Sequence, residues 1–167
     1  MKSAVYIGLL LFLVPLQSTI LHHLSINGIQ PDVCLVASVL VGLFGGVWEG
    51  IFIGAALGAL QGVFSAGDIG VLAVLNGVTG LLAGLLGQQL TSLAFGTVAG
   101  SGLLFSIGWG TLFLFYAWHL SGTGDIIDAL RVEILPKAAY DTVILSVGYW
   151  MLRRYFVDRH VEDVLVG

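Results

Sequence analysis

The chain has 167 residues, of which 57% are hydrophobic and only 10% charged, and its mean hydropathy is +1.01. These values describe an integral membrane protein with nearly all of its length in the bilayer, and they leave no room for a separate soluble domain. A net charge of −4, with six Lys and Arg in all, provides no basic footprint for nucleic acid.

A spanning helix needs about 20 mostly apolar residues. Six apolar segments can be drawn: Ser3–Leu21, Pro31–Phe44, Val47–Phe64, Ile69–Leu90, Leu93–Trp118 and Ala138–Met151. The expected fold is an all-α, six-transmembrane-helix bundle, a single membrane domain over 1–167 with 152–167 as a cytoplasmic tail. The first segment looks like a secretory leader, but Val14-Pro15-Leu16-Gln17 stands where a small-x-small cleavage site is required. It is read as a retained span.

The second and third segments have no charged loop between them. One helix from Pro31 to Ala66 would be about 54 Å long at 1.5 Å per residue, against a hydrocarbon core of about 30 Å. The chain must therefore reverse, and Gly45-Gly46 beside Glu49-Gly50 is where flexible backbone and a charge coincide. Through the same region runs a period of four: Ser38, Gly42, Gly46, Gly50, Gly54, Gly58 and Gly62 are all small. Residues four apart share a helix ridge, so these positions carve a groove for a close backbone. Each glycine costs about 0.8–1.0 kcal/mol of helix stability relative to alanine, and packing against another helix is the compensation that lipid allows. Gly80/Gly84 and Gly96/Gly100 repeat the pattern later. The periodicity leaves open whether the ridge faces this chain or a partner.

In the loop before the last segment, Asp125 can cap a short interfacial helix over Ile126, Ile127 and Leu130, and Pro136 suits the first turn of the final span. Lys2, Arg153, Arg154 and Arg159 fall with the termini, while Arg131 and Lys137 fall in loops on the other side. By the positive-inside rule both termini are cytoplasmic. Tyr149, Trp150, Tyr155 and Phe156 read as an aromatic anchor at that face, and Phe113, Phe115, Tyr116 and Trp118 as its outer counterpart.

Chemistry within the bilayer leaves ionisable groups near the midplane, and this chain has few. Asp32 stands at a span entrance, Glu49 in the proposed inner turn and Asp68 at an outer turn. Asp141, about one turn into the last span, is either a proton or ligand site or a carboxylate serving a helix N-terminus; the second is the commoner arrangement. His22-His23 and His119 have no Cys or carboxylate partners at ligand spacing, so no metal site is expected. Ser18, Ser65 and Ser106 lack a paired base, and the Gly-rich stretches lack the Lys of a phosphate loop. Neither an enzyme nor a cofactor site is expected. Gln17, Gln61 and Asn76 are amides in apolar surroundings. They either line a shared polar pocket or make ordinary interhelical hydrogen bonds, the latter being more usual.

The run Leu16-Gln17-Ser18-Thr19, then Gly28 before Pro31-Asp32, Gly50, Gly54, Gly58-Ala59-Leu60-Gln61, Ser65, Asp68-Ile69-Gly70, Gly80 and Gly84 resembles the rod shape-determining MreD family over about Leu9 to Leu90. The resemblance lies in order and spacing together. One departure is Gly62, at a position where that family usually carries an aspartate. The resemblance implies a bundle similar to the substrate-binding subunits of energy-coupling-factor transporters. It also implies a non-enzymatic scaffold in the bacterial inner membrane, working with MreC and through it MreB, RodA and a class B penicillin-binding transpeptidase. The alternative is a vitamin-transporter subunit that binds a small ligand near Gln17, Gln61 and Asn76.

Overall fold

The computed structural model describes residues 30–65, 68–89, 95–121 and 130–166, and these contain helices and no strand. The helices are α1 (Val33–Gly45), α2 (Val47–Ser65), α3 (Ile69–Gln89), α4 (Phe95–Ser121) and α5 (Leu135–Val166), the last preceded by a π-turn over Leu130–Ile134. Within them, Val47–Ser65, Ile69–Gln89 and Phe95–Tyr116 are long and apolar enough to cross a membrane. The Ser3–Leu21 segment, Asp125 and its short helix, and the side chains of Tyr155 and Phe156 lie outside the described residues. The final helix is longer than its apolar segment. It begins with Pro136 in its first turn and continues unbroken through the stretch read as a tail.

A single residue reverses the chain between α1 and α2. Gly46 has φ +99°, a conformation that glycine adopts without penalty. Its N–H bonds to Gly42 O at 2.9 Å, and its own carbonyl accepts Gly50 N–H at 2.9 Å. Sequence periodicity counts Gly46 among the packing positions, but a Cβ there would meet nothing within 4 Å. It is a turn residue, and the period of four is divided between two helices.

The remaining glycines of the ridge pack inside this chain. A Cβ on Gly50 would strike the carbonyl oxygen of Gly80, and one on Gly58 that of Leu72. A Cβ on Gly54 would stand 2.5 Å from Asn76 O, and one on Gly62 2.7 Å from Ile69 Cα. Each step of four along α2 is thus matched by a step of four, and at the end of three, back along α3, an antiparallel seam of backbone on backbone. On α1, Gly42 faces Ala83 and Gly84, while Ser38 is fully buried with its hydroxyl on Cys34 O at 2.8 Å. Gly84 in turn receives Val47, whose Cα is 2.6 Å from its ideal Cβ position. At such separations Cα–H···O contacts replace side-chain packing.

α4 and α5 form a second antiparallel pair, with Leu145 against Gly102 and Ile134 against Gly110. The two units meet through α1, where Val36, Val39 and Leu43 share a core with Ala83, Val98, Leu145 and Tyr149. Tyr149 is buried and stacked on Phe44 with ring centroids 5.7 Å apart, so it belongs to this core instead of the interfacial anchor. Trp150 beside it is exposed. At the opposite end, Phe113, Phe115 and Trp118 are exposed, and Tyr116 donates its hydroxyl to Asp68 Oδ2 at 2.7 Å. Asp68 also accepts the N–H groups of Gly70 and Val71 at the start of α3.

Two expectations follow. Gly58→Ala should lower the melting temperature in detergent, with a cost of about 1–3 kcal/mol for overpacking, whereas Gly96→Ala, with open space around it, should not; equal melting of the two variants would contradict the seam. The Tyr116 hydroxyl, followed by the α3 amides, holds the Asp68 carboxyl below the usual carboxylate range. Its contribution is complete above the ordinary value of about 3.9 and disappears as pH falls through the lower folded value. Acidification through that window should therefore destabilise the wild type more steeply than Tyr116→Phe, as read by melting at stepped pH.

Candidate functional site

The feature that organises the site is the length of α1. Its 13 residues extend about 20 Å at 1.5 Å each, so it is too short to cross a core of about 30 Å. Its first turn lies beside Gln61, near the end of α2, and Asp141, the seventh residue of α5. The N-terminus of α1 therefore stops inside the bundle. The first N–H groups of any helix lack intrahelical acceptors, and with little water available the protein must supply them.

Two carboxylates do so. Asp32, at the N-cap, accepts Leu35 N–H on Oδ1 at 3.0 Å, and Asp141 Oδ1 accepts the N–H of Asp32 at 2.7 Å. The positive end of the α1 dipole favours both negative groups. From Asp32 the network spreads outward. Its Oδ2 accepts Gln61 Nε2 at 3.2 Å and Lys137 Nζ at 3.4 Å, and Gln61 Oε1 accepts Asn76 Nδ2 at 3.2 Å. Ser106 donates its hydroxyl to Asp141 Oδ2 at 2.6 Å. The Lys137 ammonium lies 4.5 Å from the centroid of the Trp109 ring, a cation–π contact that holds it over the network. Asp32, Asn76, Ser106, Trp109 and Asp141 are all buried, while Lys137 keeps 27% of its side chain exposed.

Five helices thus contribute to one polar cluster. Of the candidate polar residues, Gln61, Asn76 and Asp141 stand in it, and Gln17 lies outside the described residues. Asp32, Ser106 and Lys137 join them, although sequence reasoning placed Asp32 at a span entrance, rejected Ser106 for want of a base and left Lys137 in a loop. Their signal lay in α1 being short, which forces an acid at its start, and in the four-residue spacing of Lys137 and Asp141 on one helix face. Gly62 abuts the first turn of α3 and has no space for a carboxylate. The acids beside Gln61 come from α1 and α5 instead.

Two buried side-chain atoms of the described residues make no hydrogen bond, Asn76 Oδ1 and Trp109 Nε1. Trp109 packs with Leu35 and Leu72, and against Leu75, the neighbour of Asn76. One atom is an acceptor and the other a donor. No three His, Cys, Asp or Glu side chains among the described residues gather as a metal site would require.

Comparison with protein-family models, curated proteins and solved structures gives no match to this chain.

Removing Asp32 would strand Leu35 N–H, Gln61 and Lys137 together. Asp32→Ala should cost about 3–5 kcal/mol, the magnitude for breaking a buried charge pair, measurable as loss of melting temperature or of folded yield. A loss below about 1 kcal/mol would show that the network does not hold the bundle.

Proposed function

We propose that the chain is a non-enzymatic membrane scaffold of the bacterial cell-elongation machinery, similar to MreD. In this reading it holds the membrane helix of MreC and so supports MreB, RodA and a class B penicillin-binding transpeptidase in lateral wall synthesis. Support comes from the sequence resemblance and from one structural observation. The glycine surface of α2 is filled by α3, which moves the candidate partner surface to α4. There Gly96, Gly100, Leu104, Gly108 and Leu112 recur every four residues. A Cβ on Gly96, Gly100 or Gly108 would meet nothing within 4 Å, and Leu104 and Leu112 are exposed. Holes at the glycines and knobs at the leucines suit one crossing transmembrane helix, because association in lipid depends on close backbone approach. The same proposal takes Ser3–Leu21 as a sixth span of a bundle similar to energy-coupling-factor substrate-binding subunits. It sets both termini on the cytoplasmic side of the inner membrane.

A second reading, a substrate-binding subunit of a vitamin transporter, is favoured by the unpartnered Asn76 Oδ1 and Trp109 Nε1. Neighbouring genes for MreB and MreC would support the scaffold, and a vitamin released from the purified protein would support the transporter. The direct test is Gly96→Leu with Gly100→Leu. Co-purification with MreC should fall at least about tenfold (roughly 1.4 kcal/mol) with melting unchanged. Undiminished MreC binding would overturn the reading, and so would unfolding of the variant, which would mean that this face is covered by the chain itself.

A further inference from the structure

We infer that the polar network is a proton-binding site, with one exchangeable proton carried on Asp141 Oδ2. The inference stands apart from the scaffold reading and begins with a count of charges. The α1 element brings Asp32 together with the Cys34 thiol. From α5 come Asp141 and Lys137, while Gln61 of α2, Asn76 of α3, and Ser106 and Trp109 of α4 are neutral. Arg131 and Glu133 of the π-turn are exposed. Two carboxylates therefore face one ammonium, an excess of one negative charge where water is scarce. A buried charge without a partner is costly enough that a group takes up a proton instead.

The hydrogen bonds decide which acid takes it. Asp32 receives three donors, Leu35 N–H, Gln61 Nε2 and the Lys137 ammonium, the last of them a cation. Asp141 receives only Asp32 N–H and the Ser106 hydroxyl, both neutral. Each contact survives protonation. Oδ1 continues to accept Asp32 N–H, while a proton on Oδ2 is donated to Ser106 Oγ, whose own hydrogen rotates away because a hydroxyl both gives and accepts. The 2.6 Å separation of Oδ2 and Oγ suits either direction. No other group of the cluster offsets the charge: Asn76 Oδ1, fully buried at the end of the Asp32–Gln61–Asn76 chain, is an acceptor without a donor, Trp109 Nε1 is a donor without an acceptor, and both side chains are neutral.

In the binding step a hydronium ion gives its proton to Asp141 Oδ2: one O–H bond of the hydronium breaks, one O–H bond forms on Oδ2, a water molecule is released, and the cluster passes from a net charge of −1 to zero. The neutral form seals the contact between α1 and α5. Loss of the proton sets two carboxylates against each other across it.

The test uses the full chain purified in detergent. At neutral pH the infrared spectrum should contain a protonated-carboxyl C=O band that shifts on deuteration, is absent in Asp141→Asn and persists in Asp68→Asn. Asp141→Asn, which reproduces the neutral acid's hydrogen bonds, should melt at or above the wild type, and Asp141→Ala below it. On alkalinisation the wild type should lose melting temperature and Asp141→Asn should not. Absence of the band from the wild type overturns the inference, as does an Asp141→Asn variant that melts as low as Asp141→Ala. Should Asp141→Asn fail to fold, the wild type alone decides: the band and the melting temperature must fall together as pH rises, and a flat response refutes the site.

Discussion

A helix that ends within the bundle imposes the central constraint. With 13 residues, against 19 in α2 and 21 in α3, α1 is the shortest of the five described helices, and its first N–H groups point into a region where unpaired donors cost several kcal/mol each. Asp32 and Asp141 meet that need, and everything polar in the interior is arranged around them. Lys137 balances one charge, Gln61 and Asn76 relay hydrogen bonds to α2 and α3, and Ser106 ties in α4. The cluster is therefore a joint among all five helices as much as a site.

The two ends of the α1–α5 contact have different chemistry. Near Gly46 it is apolar, with Phe44 stacked on Tyr149 and Leu40 against Gly148. At the start of α1 it is a charged network. Between α2 and α3, by contrast, the Gln61–Asn76 hydrogen bond stands beside a seam in which glycines let the two backbones touch. Apolar side chains gain little from leaving lipid for protein, so contact area and backbone proximity replace hydrophobic burial as the source of cohesion.

How much of this was legible in the sequence depended on contrast. Glycines every four residues announce a packing ridge, and a 36-residue apolar run announces a reversal, because both are intrinsic to the local chain. Gln61, Asn76 and Asp141 stood out because polar groups are conspicuous against apolar neighbours. Their partners did not. Asp32 looks like an entrance residue because the depth of α1 is set by how it docks, and Lys137 looks like a loop residue because the apolar segment starts at Ala138, three positions after the helix does. Tyr149 gave an anchor signal beside Trp150 and Arg153, yet the rotation of α5 turns it inward. Periodicity also could not say which of two helix surfaces remains open, since Gly54 and Gly100 have the same surroundings in sequence and opposite ones in space.

The one-residue link at Gly46 has a consequence for how this chain can vary. The period of four continues from Gly42 through Gly46 to Gly50, so the reversal keeps both helices in phase and contains no slack. Inserting or deleting a residue there would rotate α2 by about 100°, the angle of one helical step, and swing Gly50, Gly54, Gly58 and Gly62 off α3 at once, a deletion replacing them with Ile51, Ala55, Ala59 and Val63 and an insertion with Glu49, Ile53, Leu57 and Gln61. Substitutions elsewhere in the membrane-embedded helices are absorbed one site at a time. Length at this corner is a different kind of variable, in which a change of one affects every contact downstream.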